Sequence, residues 1–242
     1  MKLLSIGSDS KTVKGEKYGY LTGILYLAPS DVSGVMNTCP HASKGCRLAC
    51  LYSAGRGAFS NVQKARIEKT RWFHKDRDGF MAQLHLDILA LKKKAKKEGK
   101  IPCVRLNGTS DIPWEDVRLE FGTPNIMTLH KDVQFYDYTK NARRMRDSIP
   151  VAGVKSYFPT NYHLTFSRSE NNQKDCLDIL NKGGNVAMVF ANMTQQIGFL
   201  AFNHEVIDGD LSDLRFLDPS GGVIVGLKAK GKAKKDLSGF VL

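Results

Sequence analysis

Two spacings of apolar residues alternate along this chain. Short runs rich in apolar, β-branched and aromatic side chains fall at 20–29, 101–106, 126–129, 133–138, 162–167, 185–190, 199–202 and 222–227. Runs of that length and composition predict buried strands. Between them the spacing lengthens. Phe80, Leu84, Ile88 and Leu91 recur at helical intervals and predict the core face of a helix over 78–98. Further helices are expected over 61–75, with Asn61 as its N-cap, over 141–147 and over 174–180. Gly99 and Gly183-Gly184 follow two of them as stops, since glycine reaches the left-handed conformation that ends a helix. Strand, loop and helix in repeated alternation argue for an α/β protein with largely parallel strands. In 242 residues, 42% of them hydrophobic, such a series suits a small or incomplete (β/α) barrel. No repeat, low-complexity linker or shift of composition divides the chain, so 1–242 is read as one domain.

The loop after the first strand changes this picture from fold to chemistry. Three of five cysteines, Cys39, Cys46 and Cys50, fall there in the pattern C-x6-C-x3-C. Cys46 and Cys50 are spaced for one face of a helical turn, and Cys39 reaches the same point from beyond Pro40 and Gly45. Thiolates are soft ligands that select zinc or an iron–sulfur cluster. Three of them leave one position for His41, a remote residue or an external ligand. Buried small apolar residues or a disulfide are the plainer readings. The polar surroundings of Asn37, Lys44 and Arg47 favour the metal.

Charge points to a partner. The formal net charge is +12, and a field of that sign concentrates polyanions, DNA or other nucleic acid above all. Lys228, Lys230, Lys232 and Lys234 alternate, which in an extended segment makes one cationic stripe able to follow a phosphate backbone. Arg143, Arg144 and Arg146 form a second basic group on a short helix. Arg56 between Gly55 and Gly57, and Arg105, Asn107 and Lys140 at strand ends, complete the expected nucleic-acid contacts. The lysines at 92–97 read as the solvated end of a helix. No apolar run is long enough to cross a membrane, and 1–7 is too short and then too polar for a signal peptide, so a cytoplasmic protein is expected.

Candidate acid–base chemistry falls in two places. The strand at 101–106 runs into Asn107-Gly108-Thr109-Ser110-Asp111, and strand C-terminal ends carry the sites of α/β folds. Asp111 is the expected nucleophile or base, with Glu115 as a second carboxylate whose repulsion would separate the two pKa values. Asp208 and Asp210, in an acidic turn with Asp213 and Asp218, are the second candidate, and their spacing does not match a calcium loop. P-loop, GxGxxG, HExxH and GxSxG patterns are all absent.

The three-cysteine loop, the strand ending at Asp111, the segment Phe135-Tyr136-Asp137-Tyr138-Thr139-Lys140 and the late acidic turn together resemble the phage "gene product 88" family over about residues 20 to 220. The resemblance implies a divergent barrel with a cysteine-bound cofactor after its first strand. Radical S-adenosylmethionine proteins carry three cysteines at that place around a [4Fe-4S] cluster with one open iron, although at C-x3-C-x2-C spacing. Phage DNA 7-deazaguanine transglycosylases are barrels that exchange a guanine base with an acidic nucleophile, and their relatives bind zinc late in the chain. The expected function is modification of phage DNA, base exchange first and radical chemistry as the alternative. S-adenosylmethionine belongs only to that alternative. The third possibility is a non-catalytic nucleic-acid-binding protein with a structural metal.

Overall fold

The computed structural model describes residues 1–7, 10–119, 122, 124–153, 158–192 and 200–242. Its strands in chain order are β1 (Leu4–Ile6), β2 (Tyr20–Leu25), β3 (Ile101–Arg105), β4 (Gln134–Thr139), β5 (Tyr162–Ser167), β6 (Val186–Phe190), β7 (Leu200–Ala201), β8 (His204–Asp208) and β9 (Ile224–Lys228). The helices are α1 (Ser10–Glu16), α2 (Lys44–Leu48), α3 (Ser60–Lys75), α4 (Arg77–Lys97), α5 (Ile126–Leu129), α6 (Ala142–Ser148) and α7 (Gln173–Asn181). In space the strands run β1-β2-β3-β4-β5-β6-β9-β8-β7. From β2 through β8 every neighbouring pair is parallel, and the two end strands are antiparallel to their neighbours. Among the described residues no ladder joins β1 to β7, so the sheet is mixed, mostly parallel and open.

Alternation along the strands divides the side chains between two faces. Val104, Phe135, Leu164, Phe166, Val186 and Met188 turn outward and share one core with Phe73, Phe80, Leu84, Ile88 and Leu91 of α3 and α4 and Ile179 and Leu180 of α7. Each such side chain buried adds roughly 1.5–3 kcal/mol. The other face holds Cys103 and Tyr136, packed with Leu214, Tyr20 and Phe216 in a separate cluster. The Phe216 ring meets Tyr20 and Tyr136 edge-on at 5.1 and 5.5 Å. A segment leading out of β8 therefore fills part of the inner face, where a second helical layer would lie in an open three-layer sheet.

Several expectations are corrected. Residues 126–129 form a helical turn, because the Asn125 side chain accepts the Thr128 N–H and caps it; four residues, three of them apolar, are too few to carry a period of their own. Asn61 lies inside α3, whose N-cap position is Phe59, and Asp76 caps α4 by accepting from Gly79 N–H. α2 stops at Leu48, so Cys50 opens the following 3-10 turn rather than sharing a helical turn with Cys46. The lysine stripe is also broken: β9 ends at Lys228, and 231–235 is a 3-10 turn. Residue 199 lies outside the described residues; the strand expected there begins at Leu200. β1, α1 and β8 add elements not expected. Among the described residues no helix is long and apolar enough to cross a membrane.

Candidate functional site

The C-terminal ends of the parallel strands surround a cavity of about 830 Å³. Tyr26 after β2, Arg105 of β3, Tyr138 of β4, Ser167 of β5, Val189 of β6 and Lys228 of β9 each reach it. That volume lies in the range of small-molecule sites, and the edge is where α/β sheets place them. Cys39, Cys46 and Cys50 all line this cavity, whereas His41 is exposed and does not.

The cysteine loop is held from several directions. Thr38 donates from Oγ1 to Ala28 O at 2.6 Å, and its own carbonyl accepts the Asp111 N–H at 2.8 Å, so the loop is fastened to the turn after β3. Ser43 caps α2 by accepting from Cys46 N–H at 3.1 Å and donates to Glu170 at 2.7 Å. Glu170 also accepts the Gly45 N–H at 2.8 Å. Below, Cys46 and Ala49 pack on Ala229, Ala233 and Phe240, so the end of the chain floors the loop. Arg168 fixes that end by donating to the carbonyls of Gly239 and Phe240 at 2.9 and 3.0 Å. Burial pushes the Cys39 and Cys50 thiols up, and neighbouring cysteines push them the same way. Among the described residues no group of three or more His, Cys, Asp and Glu side chains is drawn close enough to hold a metal ion as it stands. The cysteines share one cavity without being closed up.

The carboxylates separate. Asp111 lines the cavity, but Glu115 does not. Arg144, 5% exposed, lies between them: it donates twice to Glu115 at 2.5 and 2.8 Å, once to Asp111 at 3.3 Å and once to Tyr162 Oη at 2.6 Å. The other Asp111 oxygen accepts the Lys140 N–H at 2.8 Å. Arg144 thus faces inward, while Arg143 is 91% exposed beside Asp147. Asp137 lies beneath, accepting from Asn107 N–H at 2.6 Å and Tyr162 O–H at 2.7 Å; burial pushes it up to about 7 against those bonds. The Asn107 side chain is spent on its own turn, with Oδ1 accepting from Ser110, Ile112 and Trp114. Asp208 is outside the cavity lining and accepts the Asp210 N–H; Asp210 lines the cavity and pairs with Lys230 at 2.7 Å.

Among the described residues seven cationic ones line the cavity, Arg56, Arg66, Lys69, Arg105, Lys140, Lys228 and Lys230, against Asp111, Asp210 and Asp213. Lys232 lies off it. Arg105 pairs with Asp213 at 2.7 Å and stacks on Tyr138 at 4.8 Å; Lys140 donates to Ser167 Oγ at 2.5 Å. Arg66, Lys69, Tyr26 and Tyr52 escaped sequence reasoning. Arg66 and Lys69 stand on one face of α3, and their spacing was the only available signal, within a helix where charge ordinarily means solvent.

An open, mostly parallel α/β sheet whose strand ends and post-strand cysteine loop meet in one basic cavity defines the class of this protein. The gene product 88 family model matches residues 2–242, and the chain belongs to that family. No curated protein and no solved structure matches the chain.

Proposed function

We propose that this protein is an iron–sulfur enzyme that modifies the nucleotide units of nucleic acid, working at the cavity of an incomplete (β/α) barrel. The observation that carries the reading is the entry of Cys39, Cys46 and Cys50 into the same cavity as the C-terminal ends of the parallel strands. A structural zinc site is closed by four protein ligands, whereas three thiolates with His41 turned to solvent leave a position for an external ligand. Clusters are held by cysteine thiolates, so the donor set fits. Cys39, Cys46 and Cys50 would hold the cluster, which would supply single-electron chemistry, with S-adenosylmethionine as co-substrate as in the radical proteins whose cysteine loop follows the first strand in the same way.

The chain's own residues do the rest. Glu170 and Ser43 hold the cysteine loop in place. Arg144 fastens Asp111 and Glu115, and with them the wall after β3. The cationic lining attracts phosphate, and a cavity of about 830 Å³ is of the size of a small-molecule or single-nucleotide site rather than of a duplex. The test is iron and sulfide content after anaerobic purification. Wild type and Cys176→Ser should carry both, and Cys46→Ser should lose them. Equal iron in all three, or zinc in its place, sinks the reading.

Base exchange with Asp111 as nucleophile is the second reading, favoured by the place of Asp111 in the cavity wall. It requires one oxygen to leave Arg144 or the Lys140 N–H. Asp111→Asn with full iron content and no change in modified nucleosides, read by mass spectrometry, decides against it.

A further inference from the structure

Arg66 is a buried cation with no carboxylate within ion-pair distance among the described residues. It is 8% exposed and lines the cavity. Its guanidinium lies over the Tyr26 ring at 4.7 Å and the Tyr52 ring at 5.6 Å. Its hydrogen bonding amounts to one long contact, Nη1 to Tyr52 O at 3.5 Å, and Nε has no partner among the described residues. The other buried arginines have their donor edges occupied: Arg144 meets two carboxylates, Arg215 meets Asp218, and Arg168, which like Arg66 pairs with no carboxylate among the described residues and has an unpartnered Nε, gives Nη1 to the Gly239 and Phe240 carbonyls at 2.9 and 3.0 Å. Stacking on aromatic faces leaves the donor edge of a guanidinium open, and that fork matches an oxyanion in two parallel bonds. Lys69, 9% exposed and on the same face of α3, is the second cation there; its ammonium donates to Leu3 O at 2.8 Å and has Asp87, which accepts the Leu3 and Leu4 N–H groups, as its charge neighbour. Two neighbouring buried cations suit a dianion better than a single negative charge.

We propose that Arg66, flanked by Tyr26 and Tyr52 and backed by Lys69, is the oxyanion subsite of the cavity, and that it takes the phosphomonoester of a mononucleotide. The inference rests on the cavity being a substrate site, as in the preceding reading, but not on the cluster. The phosphomonoester has two sources, a free nucleoside monophosphate and the terminal phosphate of a strand. An internal phosphodiester carries a single charge and fits less well.

The test is calorimetric titration of the anaerobically purified full chain with a nucleoside, its 5′-monophosphate, and one short oligonucleotide with and without a 5′-phosphate. The monophosphate should bind at least roughly 10-fold more tightly than the nucleoside, as charge-assisted hydrogen bonds allow. Arg66→Gln should lower its affinity by roughly 10- to 100-fold, and Arg66→Lys, which keeps charge but loses the fork, should recover only part. Tighter binding of the phosphorylated oligonucleotide than of the monophosphate assigns the terminal phosphate as source; the reverse assigns the free nucleotide. Equal wild-type binding of nucleoside and monophosphate overturns the proposal, a result that needs no variant to fold. So does wild-type phosphate affinity in Arg66→Gln with a changed iron content, which would make Arg66 a counter-charge for the thiolates. Cys46→Ser that loses iron and keeps phosphate binding supports both readings; a Cys46→Ser that never differed from wild type in iron removes the cluster and leaves the subsite standing.

Discussion

Replacing Arg144 with Leu separates an architectural arginine from one that binds phosphate. The guanidinium is 5% exposed and the Asp111 and Glu115 side chains are each 11% exposed, so the substitution leaves two carboxylates and the Tyr162 hydroxyl without their shared donor. Removing one partner from a buried ion pair costs about 3–5 kcal/mol, most of it the uncompensated charge that remains. For a chain of this size 1 kcal/mol moves the melting midpoint by about 2–4 °C, so Arg144→Leu should melt about 6–20 °C below wild type. The assay is thermal unfolding followed by circular dichroism, repeated with the double variant Arg144→Leu/Glu115→Gln. Neutralising Glu115 should recover part of the loss, because one buried charge is gone; Glu115→Gln alone should destabilise. Arg143→Leu, at a 91% exposed position, should leave the midpoint within about 1 °C, a surface substitution being worth under roughly 0.5 kcal/mol. An Arg144→Leu midpoint within about 2 °C of wild type, together with weakened nucleic-acid binding, would refute the reasoning and return Arg144 to the role its sequence neighbourhood suggested.

Asp137 gives a pH signature. Its folded pKa is raised to about 7, so its contribution to stability is complete below the ordinary carboxylate range and lost as pH rises through 7; the stability difference between wild type and Asp137→Asn in urea melts should therefore shift against wild type from pH 4 to 8, and a constant difference refutes it. Gly108→Ala should cost roughly 1–3 kcal/mol, since a Cβ there would stand 2.5 Å from Tyr26 Cδ1 and 2.8 Å from the Leu25 carbonyl; a wild-type denaturation midpoint speaks against that packing. If nucleic acid enters the cavity, Lys228→Ala/Lys230→Ala should flatten the log–log salt dependence of binding by up to about 0.9 for each phosphate these lysines neutralise, and Lys232→Ala should not; equal effects point to diffuse attraction.

The strand–helix alternation was legible where a parallel strand is buried along most of its length and reads as an apolar run, as β2 and β6 do; β4 and β5 carry polar residues within the run but keep enough aromatic and β-branched side chains to be read as strands. The exceptions have local causes. Residues 126–129 look like a strand by content, and only the Asn125 cap tips them into a helical turn. β1 is three residues long, and the 210–218 segment fills the inner face with residues that resemble an acidic turn when read singly. At the site, the cysteines and the turn after β3 were legible as neighbours, since both follow parallel strands. The division of labour within that turn was not readable. Asp111 and Glu115 differ by which of them Arg144 claims in full, and Arg144 lies on α6, far along the chain. Arg66 shows the same limit from the other side: no carboxylate among the described residues pairs with it, and only packing reveals that.

The floor beneath α2 has a consequence in time. Residues 39–50 leave the ribosome well ahead of the surface on which Cys46 and Ala49 rest, which is made of Ala229, Ala233 and Phe240, and the arginine that fixes Phe240 belongs to the segment after β5. During synthesis the three thiols therefore stand beside an unfinished seat until Phe240 has emerged. Oxidants have that interval to reach the thiols before the seat is built.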